Sequence, residues 1–264
     1  MDDIMPALFG TGFIFLMTCL GSSVVMLFKK TSQGGGSQKI FLGFAAGIMI
    51  AASVWSLLIP SIEETASRGQ VGWIPAAGGM ILGILFLFGL DRIIPHLHPS
   101  SNIKEGIPSH AKRTTLLISA VTLHNIPEGM AVGLSFALAA QHLEDPALYT
   151  GAMALAIGIG IQNFPEGAAV SLPLRQEGFS RKRAFLLGCL SGIVEPVFGL
   201  LTVLLARFIS PFMPWLLSFA AGAMMYVVVE ELIPEAHLGE HSNAGTLSVM
   251  AGFLIMMILD VALG

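Results

Sequence analysis

The stretches HNIPEG, residues 124–129, and QNFPEG, residues 162–167, repeat one Asn-x-Pro-Glu-Gly pattern inside two long apolar runs. A spacing of four residues places the first and fifth side chains of each hexamer on one face of a helix. Each proline lacks an N–H and clashes with the carbonyl four residues earlier, so we expect a bent helix with a free carbonyl there. The pattern therefore predicts two helices that direct oxygen and nitrogen groups into the protein interior.

The composition around the hexamers is that of a membrane protein. Of the 264 residues, 54% are hydrophobic and only 11% are charged, whereas about a quarter of the residues of a soluble domain are charged. The 30 glycines and 14 prolines fit this class, because membrane helices tolerate both. The lipid bilayer is thus an expected partner. The net charge of −4 gives no basis for binding nucleic acid.

Eight apolar stretches are long enough to cross the hydrocarbon core, which takes about 20 residues. They lie approximately at 4–28, 40–60, 71–90, 114–140, 147–174, 184–206, 212–234 and 244–263. We therefore predict an all-α integral membrane protein with eight transmembrane helices, in which residues 1–264 form a single domain.

The basic residues favour one set of connections. Eleven of the 13 Lys and Arg follow spans one, three or five, and only Arg68 and Arg207 lie in the other connections. The positive-inside rule places the basic connections in the cytoplasm. The sequence therefore predicts a cytoplasmic His-containing loop at 91–113 and both termini on the extracytoplasmic side.

A second repeat lies in the outer spans. FAAGIM at 44–49 and LIP at 58–60 match FAAGAM at 219–224 and LIP at 232–234, with offsets of 175 and 174 residues. Because successive spans alternate in direction, the two copies run in opposite directions. This predicts an inverted repeat of helices 1–3 and 6–8 around a central pair of helices 4 and 5. Many secondary transporters share that architecture, and their substrate sites lie near the bilayer midplane.

Three carboxylates are expected to meet in the middle of the membrane. Counting about 1.5 Å of rise per residue, Glu195 of span six reaches a depth similar to that of Glu128 and Glu166. Burying a charge there costs at least a few kcal/mol, so clustered carboxylates must be protonated, paired or neutralised by a cation. Spans four to six have no Lys or Arg at that depth, which favours a metal ion.

The other polar groups near these carboxylates narrow the choice of ion. An imidazole, three carboxylates and three amides form a mixed nitrogen and oxygen set that suits zinc, iron or manganese. Calcium and magnesium sites use oxygen ligands instead of His. Met49 adds a soft side chain, for which packing between helices is the alternative interpretation. The candidate metal-ligating residues are His124, Asn125, Glu128, Gln162, Asn163, Glu166, Glu195 and Met49.

With the two hexamers, GIVEP at 192–196 and eight spans, the chain resembles the ZIP (Zrt/Irt-like) family of metal transporters, most closely its bacterial branch. The resemblance implies uptake of divalent transition-metal ions, zinc foremost and also iron, manganese or cadmium, across the bacterial inner membrane into the cytoplasm. The metal is then a substrate, and no prosthetic group is implied.

The resemblance also implies a binuclear centre built from helices four, five and six. One ion would be held by His124, Glu128, Gln162 and Glu166, with Met49 and Glu195 as further candidates. The other ion would be held by Asn125, Glu128, Asn163, Glu166 and Glu195.

Two positions depart from the family pattern. Family members often have Asp where this chain has Asn163, and His where it has Glu230. The second ion is therefore expected to be bound more weakly, and an inner exit site to be harder. A cytoplasmic exit path is predicted at Glu230, Glu231, Glu235 and His237, for which a solvated acidic loop is the alternative.

Other classes of function fit the sequence less well. The chain contains no H-E-x-x-H run of the kind that a zinc protease needs, so we expect no enzyme. A passive divalent cation channel and a proton-coupled carrier of another solute both stay open. The coupling ion and the formation of a homodimer stay open as well.

Overall fold

Long helices make up nearly all of the structure, because a chain in hydrocarbon must satisfy its backbone polar groups internally. The computed structural model describes residues 4–27, 35–93, 96–97, 104–105, 113–176, 178–237 and 243–263. The helices are α1 (Ile4–Ser23), α2 (Gly35–Ala52), α3 (Ile59–Ser67), α4 (Trp73–Ile93), α5 (Arg113–Gln141), α6 (Pro146–Gln176), α7 (Arg181–Gly192), α8 (Val194–Ile209), α9 (Met213–Val227), α10 (Ile233–His237) and α11 (Asn243–Leu263).

These helices combine into rods that match the eight predicted spans. A π-helical segment, Ser53–Leu58, joins α2 to α3, and a second one, Val228–Leu232, joins α9 to α10. A break at Ile193 separates α7 from α8 within span six. Within the described residues, seven rods are long and apolar enough to cross a membrane. The eighth, α5, has 29 residues and carries the first hexamer. The prediction of an all-α membrane protein is thus confirmed.

The connection between α4 and α5 contains an element that the sequence did not predict. Strand β1 (His96–Leu97) pairs in antiparallel fashion with strand β2 (Lys104–Glu105), and β1 lies against α5. Two-residue strands are too short to leave an alternating pattern in the sequence. His98 and His110, also in the predicted loop 91–113, lie outside the described residues.

The helix pairs follow the order that the repeat predicts. Helix α2 packs along α11 and α4 along α9, while α1 packs along α6 and α5 along α8. The repeat exchanges spans one, two and three with spans six, seven and eight, and span four with span five. This exchange turns the pair α2–α11 into the pair α9–α4, and the pair α1–α6 into the pair α8–α5. The two π-helical segments also occupy corresponding positions, in spans two and seven. The repeat is therefore visible in the packing as well as in the FAAG motifs.

Corresponding glycines make close backbone contacts in the two halves. A Cβ atom added at Gly47 would overlap the carbonyl of Val249, and one added at Gly222 would overlap the carbonyl of Met80. Gly47 and Gly222 are the fourth residues of the two FAAG motifs. Small residues let membrane helices approach backbone to backbone, so the motif is a packing device in both halves.

Two sets of helices result from this pairing. We call α1, α5, α6, α7 and α8 the site group, because they carry both hexamers and Glu195. We call α2, α3, α4, α9, α10 and α11 the frame group. The groups meet where α2 and α11 pack on α6 and where α9 packs on α5.

Candidate metal site

The two hexamers meet inside the site group. They lie within helices α5 and α6, which continue through Pro127 and Pro165 and pack against each other. The side chain of Gln162 donates a hydrogen bond from Nε2 to Oε1 of Glu128 at 2.5 Å. The fifth position of one hexamer thus touches the first position of the other.

Glu195 reaches the same place from the break in span six. It lies in the first turn of α8, and Thr18 of α1 donates a hydrogen bond from Oγ1 to its Oε1 at 3.1 Å. A Cβ atom added at Gly129 would lie 2.6 Å from the Cα atom of Glu195. The glycine that ends HNIPEG therefore lets α8 approach α5 closely enough for Glu195 to join the hexamers.

The carboxylates of this site are buried close together. Glu128 and Glu195 have no exposed surface, and Glu166 is 8% exposed. Each of the three lies within range of charge interaction with the other two. Three such groups cannot all stay ionised at that depth unless a cation neutralises them.

Five buried oxygen atoms of this site accept no hydrogen bond from any of the described residues. They are Oδ1 of Asn125, Oε2 of Glu128, Oε1 of Gln162, Oδ1 of Asn163 and Oε2 of Glu195. A buried acceptor without a partner costs about 1–3 kcal/mol. Oxygen atoms from amides and carboxylates that face no donor are suited to bind a cation instead.

The amide nitrogens of the two asparagines are held by neighbouring helices. Asn125 donates from Nδ2 to the carbonyl of Ser191 at 3.1 Å, and Asn163 donates from Nδ2 to the carbonyl of Ile14 at 3.3 Å. Each bond fixes the nitrogen on a neighbouring helix and leaves the oxygen free. Both asparagines are 1% exposed, so water does not reach the free oxygen from outside.

The described His, Cys, Asp and Glu side chains do not by themselves form a group of three that could hold a metal ion. The buried amide oxygens of Asn125, Gln162 and Asn163 are further oxygen ligands that this part of the chain offers. The backbone of His124 belongs to α5, but its side chain lies outside the described part.

Met49 is fully buried in the main apolar core on α2. This burial agrees with a packing role, and a role of Met49 as a metal ligand stays a prediction.

The predicted exit residues lie on the frame group. Glu230 is exposed and Glu231 is 6% exposed, and both belong to the π-helical segment after α9. Glu235 and His237 belong to α10, but their side chains lie outside the described part.

Sequence reasoning missed the contribution of α1. Thr18 positions Glu195, and the Ile14 carbonyl, one turn earlier, positions Asn163. Neither residue stands out in an apolar helix, and a backbone carbonyl leaves no signal in a sequence. The predicted inverted repeat relates span one to span six, which carries Glu195. That relation could have placed α1 beside Glu195.

Comparisons with known proteins agree with this arrangement. A family model described as ZIP Zinc transporter matches residues 98–260. Zinc transporter ZIP11 of Homo sapiens is 37% identical over 347 residues, covering 100% of this chain and 98% of that protein. Zinc transporter GufA of Myxococcus xanthus is 37% identical over 250 residues, covering 94% of each. Zinc transporter ZIPB of Bordetella bronchiseptica is 38% identical over 253 residues, covering 95% of this chain and 79% of that protein. The chain therefore belongs to the ZIP family of zinc transporters.

Proposed function

We propose that this protein takes up divalent transition-metal ions, zinc foremost and also iron, manganese or cadmium, through the site between α5, α6 and α8. The observation that carries the proposal is the set of five buried amide and carboxylate oxygens that accept no hydrogen bond from the described residues, in a site with three buried carboxylates. A divalent cation would neutralise the carboxylates and satisfy the oxygens together. The names of the relatives, all zinc transporters, favour zinc.

The proposed ligands divide into two sets that share the bridging carboxylates. One ion is held by His124, Glu128, Gln162 and Glu166, with Met49 and Glu195 as further ligands. The other ion is held by Asn125, Glu128, Asn163, Glu166 and Glu195.

Gln162 has a second task in this proposal. Its Nε2 donates to Glu128 while its own Oε1 faces no donor among the described residues. The amide N–H thus holds the carboxylate when no cation does. Rotation of the amide would bring its oxygen toward an arriving ion, so the same side chain serves both states.

The proposed setting is the bacterial inner membrane, with both termini on the extracytoplasmic side and the basic connections in the cytoplasm. Residues 1–264 act as one transport domain without catalytic chemistry. Metal leaves on the cytoplasmic side past Glu230, Glu231, Glu235 and His237.

Metal uptake into proteoliposomes tests the function directly. We expect saturable uptake of zinc, with iron, manganese and cadmium ranked by competition, and loss of most of it in His124→Ala because an imidazole ligand is removed. Uptake that rises linearly with metal concentration would indicate a channel instead. Flux of another solute that is driven by a proton gradient and does not depend on metal would favour a carrier of that solute.

Replacing Asn163 by Asp is expected to tighten metal binding about tenfold, because a second-ion ligand gains a formal charge close to the cation. The same charge repels Glu166 and Glu195 when no metal is present. We therefore expect a lower Tm without zinc and a larger rise of Tm on adding zinc, since ligand binding stabilises the folded state. Thermal unfolding across a zinc titration measures both effects.

Asn243→Asp is the matched control, because it makes the same chemical change at an exposed position at the start of α11. Equal zinc-dependent shifts in both variants would contradict the placement of Asn163 at the ion.

A further inference from the structure

A network of charged side chains lies at one end of the helix bundle. Glu64, which is 9% exposed, accepts hydrogen bonds on Oε1 from Nε and Nη2 of Arg68 at 2.9 and 2.6 Å. Nε2 of His142 lies 3.0 Å from its Oε2. Arg68 also donates to the carbonyls of Ser210 and Pro211 at 3.1 and 3.2 Å. We call these contacts the Glu64 network.

The Glu64 network joins the site group to the frame group. Glu64 and Arg68 lie at the end of α3, in the frame group, whereas His142 directly follows α5, in the site group. Ser210 and Pro211 lie where the chain passes from α8 of one group to α9 of the other. The contacts therefore tie the two groups at the end formed by the connections after spans two, four and six, which we call the distal end.

Apart from Met49 on α2, the residues of the candidate metal site lie in the site group, and those with described side chains are at most 8% exposed. A metal ion that enters between the two groups from the distal end needs them to separate there. The Glu64 network resists that separation, because opening would part the mostly buried Glu64 carboxylate from His142 and leave it with Arg68 alone. The Glu64 network therefore affects the access of metal to the site, although it does not contact the site.

We propose that Glu64, Arg68 and His142 are positioning residues for transport, which hold the site group against the frame group until metal enters from the distal end. The inference rests on the proposed function for its meaning in transport. The closure itself is a separate property of the fold. Simple attraction of cations by surface charge would instead involve exposed carboxylates such as Glu63 equally.

Ser135 offers a reporter between the network and the site. It lies on α5 seven residues after Glu128, hence on the same helical face, and it is 7% exposed. In a background with Cys19 and Cys189 replaced by Ser, Ser135→Cys can be labelled with a polar thiol reagent. Protein in nanodiscs exposes both faces of the membrane, so the assay does not depend on orientation.

We expect Glu64→Gln and His142→Gln each to raise the labelling rate of Ser135→Cys about two- to fivefold, the size that a partly exposed ion pair supports. The double variant should label no faster than Glu64→Gln, since both changes break one network. The control Glu63→Gln removes the same charge from the neighbouring exposed position and should leave the rate unchanged.

Zinc uptake by the same variants, without the reporter, adds a second measure. We expect turnover to change while KM stays near that of the parent, because the metal ligands are untouched. Labelling rates that stay equal in all variants, or that rise as much in Glu63→Gln, would overturn the proposal whether or not the protein transports. Raised labelling without zinc uptake in any variant would support the closure and contradict the proposed function.

Discussion

Glu128→Ala is expected to lower saturable zinc uptake at least about 100-fold. Glu128 belongs to both proposed ligand sets, and it holds the Gln162 amide at 2.5 Å. Even residues that only support metal ligands typically cost 10–100-fold when mutated, so the loss of a shared ligand should cost more. Initial rates of zinc uptake into proteoliposomes, over a range of zinc concentrations, measure the effect.

The metal-free stability of Glu128→Ala separates a ligand role from a structural role. Glu128 is completely buried and lies near the charges of Glu166 and Glu195. Removing it relieves that repulsion, which offsets the cost of the cavity and of the lost hydrogen bond from Gln162, so the Tm without metal should stay near that of the parent. A residue kept only for packing would instead lower the Tm by leaving a cavity. Loss of uptake with an unchanged Tm is therefore the expected pair of results.

Glu63→Ala is the control for Glu128→Ala. Glu63 is an exposed carboxylate, so its removal changes net charge without touching the site. Uptake that survives in Glu128→Ala, or that falls equally in both variants, would show that the hexamers do not form the metal pathway.

The sequence predicted the parts of this site that depend on helical periodicity. The four-residue spacing in HNIPEG and QNFPEG placed their polar side chains on one helical face. The axial rise per residue, counted along each helix, placed Glu195 at a depth similar to theirs. Helix pitch is fixed by backbone hydrogen bonding, so these relations do not depend on tertiary structure. The FAAG motifs predicted an inverted repeat, and the helix pairs of the structure are related by the exchange of its two halves.

The parts that sequence reasoning missed depend on contacts between distant segments. Thr18 meets Glu195 across 177 positions of the chain, and Arg68 meets Ser210 across 142. No helical or strand periodicity relates residues that lie so far apart in the sequence. Glu64 likewise contacts His142 across 78 positions of the chain. The pairing of helices must be known before such contacts can be predicted.

The repeat also explains why the site group needs α1. Exchanging the two halves turns the pair α1–α6 into α8–α5, so each central helix has one partner from the opposite repeat. Thr18 on α1 and Glu195 on α8 then meet between α5 and α6. A site of this kind requires both repeats, which accounts for candidate ligands from α5, α6 and α8 and for positioning bonds from α1 and α7.

Gly129→Ala is expected to disturb both stability and transport, although alanine normally favours a helix by about 0.5–1 kcal/mol over glycine. The added Cβ atom would lie 2.6 Å from Cα and 2.8 Å from the carbonyl carbon of Glu195. Those atoms are backbone and cannot rotate away, so α8 must move outward. Overpacking of this kind costs about 1–3 kcal/mol, which outweighs the gain in helix propensity.

We expect a Tm for Gly129→Ala several degrees below that of the parent, since about 1 kcal/mol shifts the Tm by roughly 2–4 °C in a chain of this size. Zinc uptake should fall further than stability alone explains, because the displaced helix carries Glu195. Gly12→Ala on α1 is the matched control, where no heavy atom of the described residues lies within 4 Å of the added Cβ, leaving aside the neighbouring backbone of its own helix. Its Tm and uptake should equal or exceed those of the parent. If both alanine variants behave alike, close approach at Gly129 is not what brings Glu195 to the hexamers.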